Sequence, residues 1–363
     1  MAGPAVAANP AREQGRRHDE KRPARMKIGY SIPDPAVVTP AMIGEIEAMG
    51  TDSIWVPEAY GLDCLTPLAW FGAVSSRLRL GSAIVQMAAR TPTATAMAAL
   101  TLDRLSGGRF TLGLGASGPQ VVEGWYGQPY ARPLARTREY FDIVRTVIAR
   151  ETPLQYQGEF YTHPMPGGTG LGKPLKCIAH PLRPDLPVLL AAEGPKNVAL
   201  AAEIADGWAA MLLGPRNDAY YRAALDEGFA RRSAARAPAE AFEVITTVPV
   251  VVDDDVEAAA DVVRGYLALY VGGMGARNKN FHFDVMARMG YEDIAVQVRS
   301  LFLDGRKKEA AAVIPTAMVE DVALVGPPAK IRDDLDARRG TLTTTLVVQG
   351  DLHALRTVVD CQT

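Results

Sequence analysis

The sequence predicts an α/β protein built as an eight-stranded (β/α)8 barrel, and three observations carry that expectation. Eight short apolar runs alternate with helical patterns from Lys27 onward. The runs are near-continuous in hydrophobicity, the pattern of strands in a parallel sheet covered by helices. The length, 363 residues, suits one barrel of about 250 residues enlarged by insertions. An open doubly wound sheet is the alternative, but eight repeating units close more simply as a barrel. Residues 26–363 are therefore expected to form one barrel domain.

The first strand is expected at Lys27–Ile32 and the second at Ser53–Glu58, followed by Leu78–Gln86 and Arg109–Ser117. Pro187–Ala192, Gly207–Leu213, Glu243–Val252 and Thr343–Gln349 complete the set. Met97, Leu100 and Leu105 recur near helical spacing in Thr91–Leu105, as do Leu134, Phe141, Val144 and Ile148 in Pro133–Arg150. Thr39 and Thr91 each precede a proline, the order of an N-cap residue and a first helical position. Two stretches break the rhythm. Glu151–Leu186 is rich in Pro and Gly, and the alternation of Leu154–Tyr161 around Gly158 reads as a hairpin inserted before the fifth strand. Gly272–Pro315 reads as a mainly helical insertion ahead of the segment Val319–Arg338. The sequence does not say which end of the barrel either one occupies.

Hydrophobic residues make up 48% of the chain, with 33 Gly and 26 Pro, enough for a large core and many turns. A net charge of -2 offers no field for nucleic acid or a membrane surface, so a small-molecule substrate is the expected partner. Cys64, Cys177 and Cys361 are far apart and odd in number, which suggests neither a disulfide framework nor a zinc site. Cys177 and His180 form a C-x-x-H, but nothing nearby supplies the remaining ligands, and no metal is expected. Residues 1–25 hold six Lys/Arg, three Asp/Glu and no apolar run. They are expected to be a disordered tail rather than a secretory signal. Met26, at the head of the first strand, is an alternative start of translation. With no run near the ~18 apolar residues of a membrane span, the expected location is the cytoplasm.

In a barrel enzyme the working groups stand just after the strands, at the C-terminal rim. That rule selects Ser31 after the first strand, Glu58 and Tyr60 after the second, and Gln86 after the third. After the fourth come Ser117, Gly118, Pro119 and Gln120. Gly113, Gly115 and Gly118 let backbone approach a flat ring, with Ser117 and Gln120 reaching its heteroatoms; a plain glycine-rich turn is the competing reading. The glycine spacing lacks the acidic residue about 20 positions on that a dinucleotide site requires. After the fifth strand, Glu193-Gly194-Pro195-Lys196-Asn197 opens a helix. Its free N–H groups and positive end read either as an anion site or as a well-capped helix start.

These segments resemble a family. Gly81-Ser82-Ala83-Ile84-Val85, the run from Leu102-Asp103-Arg104-Leu105-Ser106-Gly107-Gly108-Arg109 through Gly127, Glu193–Asn197 and Ala205-Asp206-Gly207 are similar to the luciferase-like superfamily of bacterial luciferase and F420-dependent reductases. The resemblance spans Met26 to Asp360. It implies a flavin or deazaflavin ring across the barrel mouth, with coenzyme F420 favoured and FMN the alternative. The phosphate would sit at Gly194, Pro195, Lys196 and Asn197, and Ser31, Ser117–Gln120 and Glu193 would complete the cofactor site. It also implies a cis peptide between Ala83 and Ile84, in a bulge behind the ring, and a homodimer.

The sequence departs from the family at two places. Several F420-dependent relatives present a His after the second strand and a Glu in the loop after the fourth. Here Glu58-Ala59-Tyr60 and Gly118-Pro119-Gln120 stand in those places. The expected activity is F420-dependent transfer of a hydride to or from a small organic substrate. An FMN-dependent monooxygenase and a non-catalytic flavin-binding barrel are the alternatives. Glu58 and Tyr60 are the candidate proton donors, since a rim carboxyl drawn out of water gains proton affinity. A salt-bridged carboxylate and an aromatic wall are the ordinary readings of the same two residues. Arg90, Arg132, Arg136 and Lys196 are the cations expected to meet the anionic tail of F420.

Overall fold

The computed structural model describes residues 26–275 and 280–362, so the tail expected at 1–25 lies outside the described residues. Eight parallel strands form the barrel: β1 (Lys27–Ser31), β2 (Ser53–Val56), β3 (Arg79–Ser82), β4 (Phe110–Gly115), β5 (Val188–Ala191), β6 (Gly207–Met211), β7 (Glu243–Val252) and β8 (Thr345–Gln349). Each pairs with the next, and β8 returns to β1 in the register Ile28↔Leu346. Every strand falls within its predicted run. Most end earlier than the apolar pattern does, because the chain leaves the ladder at the rim while staying buried, as at Ile32, Glu58 and Leu213.

The covering helices follow from their caps and apolar faces. Thr39 Oγ1 accepts from the Met42 N–H and Thr91 Oγ1 from the Ala94 N–H, both at 3.3 Å, with a proline next in each chain. The helix Pro92–Leu105 buries Ala96, Ala99, Leu100 and Leu102, and the helix Pro133–Ala149 buries Tyr140, Phe141, Val144 and Ile148. No helix among the described residues is long and apolar enough to cross a membrane.

Inside the barrel, Trp55 packs with Leu189, Ile245 and Val347. The indole fits because its neighbours on β1 and β3 are glycines: a Cβ on Gly29 would lie 2.8 Å from Trp55 Nε1, and one on Gly81 would overlap the ring. Trp55 Nε1–H donates to Ser53 Oγ at 2.9 Å. Beneath it, at the strand starts, Arg79 and Glu243 form a two-pronged ion pair at 2.6 and 2.7 Å, and Thr345 Oγ1 donates to the same carboxylate at 2.7 Å. The guanidinium lies 5.2 Å from the Trp55 ring centre.

Burial alone would raise the Glu243 pKa, but the bonds and charge of Arg79 outweigh it and hold the carboxyl below its ordinary value. A depressed carboxyl contributes stability above its unfolded pKa of about 4.3, and that contribution disappears as pH falls through the folded value. Arg79→Met should therefore cost about 2–4 kcal/mol at neutral pH, by leaving a largely buried carboxylate unpaired. The difference in melting temperature from wild type should shrink as pH drops from 5 to 3. A difference that does not change over that range would exclude the pair as a pH-linked brace.

The two irregular stretches lie at opposite ends. Glu151–Leu186 leaves and re-enters at the bottom: Leu154 N–H donates to Leu175 O at 2.8 Å, and Arg183 pairs with Asp103 and donates to Phe110 O beside the start of β4. Its hairpin, Tyr156–Gln157 against Thr162–His163, climbs the outside of Pro133–Ala149, where Glu139 accepts from the N–H groups of residues 159–161. The second stretch belongs to the top. β7 overshoots the barrel, and its last residues, Val250–Val252, pair with Leu324–Gly326, a three-residue strand within Val319–Arg338. From there the helices Val256–Ala268, Phe281–Met286 and Glu292–Leu303 gather a second apolar core of Val263, Leu267, Val271, Met286, Met289 and Val298, seated on Leu212 at the end of β6.

Candidate active site at the barrel mouth

The rim is built outward from β3. After Ser82 the Ala83–Ile84 bond is cis, and the chain resumes as Val85–Gln86, which pairs with Leu114 and Gly115 of β4. Two glycines permit this approach. A Cβ on Gly113 would overlap the Ser82 carbonyl oxygen, and one on Gly115 would lie 2.6 Å from Ile84 Cδ1. Ser82 Oγ locks the join, donating to Gly113 O at 3.0 Å and accepting from Gly113 N–H at 2.9 Å. The glycines of β4 thus admit a bulge from the neighbouring strand.

Glu58 is buried beside this bulge. Its carboxylate accepts from the Gln86 N–H at 2.9 Å and from Arg90 at 2.8 Å, while Gln86 Nε2 donates back to Glu58 O at 3.1 Å. The Arg90 pKa is raised, chiefly by its bond to Glu58. Cys64 is fully buried nearby; burial and the Glu58 charge push its thiol up, so it is inert. Both contacts of the Glu58 carboxyl are with donors, so in this setting it serves as an acceptor. Tyr60 stands differently: it is 52% exposed, 6.4 Å from the ring of Trp125, itself 64% exposed. Two aromatic side chains left in solvent on neighbouring loops form an open wall.

Ser31, at the end of β1, is buried. After β4, Ser117 takes a left-handed conformation (φ 57°) that turns the chain, and Gly118 starts the short helix Pro119–Gly124 with Gln120 exposed on it. Tyr130 donates to Ser117 O at 3.3 Å and fixes the turn. Behind it, Met87, Ala116, Val122, Tyr130, Arg136 and Tyr161 line a small cavity of about 30 Å³.

After β5, Gly194 begins the helix Pro195–Ile204, its carbonyl accepting from the Asn197 and Val198 N–H groups at 2.9 and 3.0 Å. A Cβ added at Gly194 would meet nothing within 4 Å, so the helix tip faces open space. Asn197 Nδ2 reaches Ala191 O at 3.5 Å, and its Oδ1 is buried without a protein partner. Gln86 Oε1 is buried and unpartnered in the same way. Orphaned buried acceptors are rare in folded proteins and point to a donor supplied from outside the chain.

The expected tail-binding cations are largely engaged elsewhere. Arg90 is bound to Glu58, Arg132 pairs with Glu159, and Arg136 lies 4.8 Å over the Phe160 ring. Lys196 borders a groove of about 320 Å³ between the outer helices, with Leu134, Arg138 and Glu203. Arg288 of the upper insertion comes closer to the helix tip, its Nη2 lying 3.5 Å from Glu193 O and 3.3 Å from Tyr221 Oη.

That insertion also brings residues the sequence reading did not select. His282 Nδ1 lies 2.6 Å from Glu193 Oε1, an ion-pair distance without the geometry of a hydrogen bond, and both side chains are largely buried. The imidazole meets the Tyr270 ring edge-on at 4.8 Å, and Tyr270 meets Tyr266 at 4.6 Å. Burial first, then neighbouring negative charge including Glu193, raises both tyrosines, Tyr266 well above its ordinary value, so both stay neutral donors. Asn280 fixes the imidazole's helix by accepting from the His282 and Phe283 N–H groups at 3.0 and 3.1 Å. A histidine among aromatic residues in an insertion was the available signal; its use depended on which end of the barrel the insertion occupies. Among the described residues no group of three His, Cys, Asp or Glu is placed to hold a metal.

The chain is similar to known proteins. The family model described as luciferase-like monooxygenase matches residues 24–345. A Mycobacterium tuberculosis protein provisionally named a coenzyme F420-dependent oxidoreductase is 51% identical over 325 residues, 89% of this chain and 93% of its own. The 5,10-methylenetetrahydromethanopterin reductase of Archaeoglobus fulgidus is 27% identical over 84% of this chain and 85% of its own. The solved coenzyme F420-dependent tetrahydromethanopterin reductase of Methanopyrus kandleri superposes with a TM-score of 0.75 over 93% of this chain and 98% of its own, at 21% identity, a likeness of fold.

Proposed function

The chain belongs to the luciferase-like monooxygenase family, and from that premise we propose that it is an oxidoreductase whose cofactor is coenzyme F420, acting on a small organic substrate. The observation that carries the reading is the rim itself. An open helix tip at Gly194, a glycine-admitted bulge at Ala83–Ile84, and the unpartnered acceptors of Asn197 and Gln86 suit a planar heterocycle with a phosphate arm. The name of the 51% identical relative supports F420 over FMN.

When bound, a deazaflavin supplies hydride transfer at its ring carbon. The chain's part is to hold and shield. The amides of Gly194 and Lys196 and the helix dipole would take the phosphate, with Pro195 and Asn197 completing the turn. Ser31, Ser117, Gly118, Pro119, Gln120 and the Ala83–Ile84 bulge would border the ring. Tyr60 and Trp125 form the wall on the solvent side, where substrate enters. Glu58, tied to Arg90 and to the Gln86 amide, braces the bulge rather than giving up a proton.

Titration of the purified protein with F420 and, separately, with FMN tests the cofactor, with F420 expected to bind at least ten-fold tighter. Tighter binding of FMN would reverse the assignment. Gly194→Val tests the phosphate position. Because a Cβ there meets no protein atom, the fold should lose only the roughly 1 kcal/mol of a poorer N-cap. F420 affinity should fall ten-fold or more, about 1.4 kcal/mol. Unchanged affinity would place the phosphate elsewhere.

A further inference from the structure

Reduction of a C=C, C=N or C=O bond by a hydride needs a proton as well, and the sequence candidates are poorly suited to provide one. Glu58 is committed to Arg90 and the Gln86 amide, and Tyr60 stands half in solvent. His282 differs from both. It reaches the mouth from the upper insertion, its Nδ1 is 2.6 Å from Glu193 Oε1, and its imidazole is largely shielded from water by Tyr270. Glu193 immediately precedes Gly194, the proposed phosphate position, so the imidazole stands at the border of the cofactor site.

The other described histidines lack this setting. His163 lies on the outer hairpin, and His180 and His353 are exposed. Among the described residues His282 is the one histidine whose ring nitrogen lies within ion-pair distance of a carboxylate. A carboxylate on one ring nitrogen fixes the tautomer and orientation of an imidazole and leaves the other nitrogen to exchange a proton. The surrounding groups fit that use: Tyr266 and Tyr270 are neutral donors, Arg288 lies at the Glu193 carbonyl, and Tyr221 donates to the same carbonyl at 3.1 Å.

We propose that His282 is the proton-carrying residue of this site and Glu193 its positioning partner, an assignment that rests on the deazaflavin reading above. In the reducing direction the bound deazaflavin would supply the hydride, two electrons and one hydrogen nucleus, to one atom of the substrate's double bond. In its imidazolium form His282 would give the proton on Nε2, the nitrogen away from Glu193, to the other atom of the double bond, whose π pair becomes the new bond to hydrogen. The neutral imidazole then regains its proton from water. Oxidation of a substrate runs the same exchange backwards.

The test uses the full chain labelled with 15N-histidine, whose ring-nitrogen signals show which nitrogen carries the proton. His282→Gln assigns the signals, and fluorescence titration measures F420 binding in parallel. Saturation with F420 should move the His282 signals and leave those of the other four histidines in place. Glu193→Ala should change the His282 tautomer. His282→Gln should bind F420 within two-fold of wild type, while single-turnover oxidation of reduced F420 by 2-cyclohexenone falls by about 10²–10⁴.

If F420 binds and the His282 signals stay still, the residue is only a clasp for the insertion and the proposal is overturned. A parallel loss of F420 affinity and melting temperature in His282→Gln would overturn it equally. If F420 does not bind, the cofactor reading fails by itself and FMN takes its place in the same experiment. Movement of the His282 signals by FMN would then retain the residue's role, and their indifference to both cofactors would dismiss it.

Discussion

Arg90→Met is expected to lower the melting temperature by about 4–7 °C, the size of a loss of about 3–5 kcal/mol in a chain of this length. The reason is what it leaves behind. Glu58 is buried between the β2 and β3 rims, and its carboxylate relies on Arg90 and on one backbone amide. Without the guanidinium, the carboxylate must stay charged and unpaired in a poorly solvated place, or take up a proton. Either outcome loosens Gln86, which bonds Glu58 from both its backbone and its side chain. Because Gln86 closes the bulge behind the proposed ring, F420 affinity should fall together with stability. Glu58→Gln is the milder partner experiment, since the amide still accepts from Gln86 N–H and removes the buried charge, and it should cost about 1–3 kcal/mol. A Glu58→Gln variant with wild-type melting temperature and F420 affinity but turnover lowered 10²-fold or more would restore Glu58 as the proton donor.

The second large effect should come from a single methyl group. Gly81→Ala places a Cβ inside the Trp55 indole, which is fully buried and walled by Leu189, Ile245 and Val347. Neither the ring nor β3 can yield easily, because β3 pairs with β2 in the register Trp55↔Gly81. A loss of about 3 kcal/mol or more, or insoluble protein, is expected, the upper end of what overpacking costs. Trp55→Leu alone should also cost about 3 kcal/mol, from lost burial and the cavity left behind. The double variant should be markedly more stable than the sum of the two losses, since the smaller side chain makes the room that the methyl needs. Additive losses in denaturant unfolding would mean that Gly81 is required for another reason.

The sequence by itself determined the architecture. Apolar runs of strand length, helical periodicities between them and Thr-Pro starts are local features, and each of the eight strands falls within its predicted run. The rim positions were legible for the same reason, since a residue that follows a strand stands at the barrel mouth whatever its identity. Tertiary structure alone decided which side chains meet there. Glu58 reads as a free carboxyl until Arg90, 32 residues on, is folded against it, and Glu243 meets Arg79 across 164 residues. The glycines on β1 and β3 carry no sign of Trp55, because the indole crosses the barrel to fill them. The place of His282 was not legible for a related reason. Its insertion follows an overshoot of β7 that pairs with Leu324–Gly326, a strand too short to show a pattern, and only that pairing brings the imidazole over the mouth to Glu193. Periodicity reports which face of an element is buried, whereas ion pairs and orphaned acceptors depend on distances between elements that no local pattern encodes.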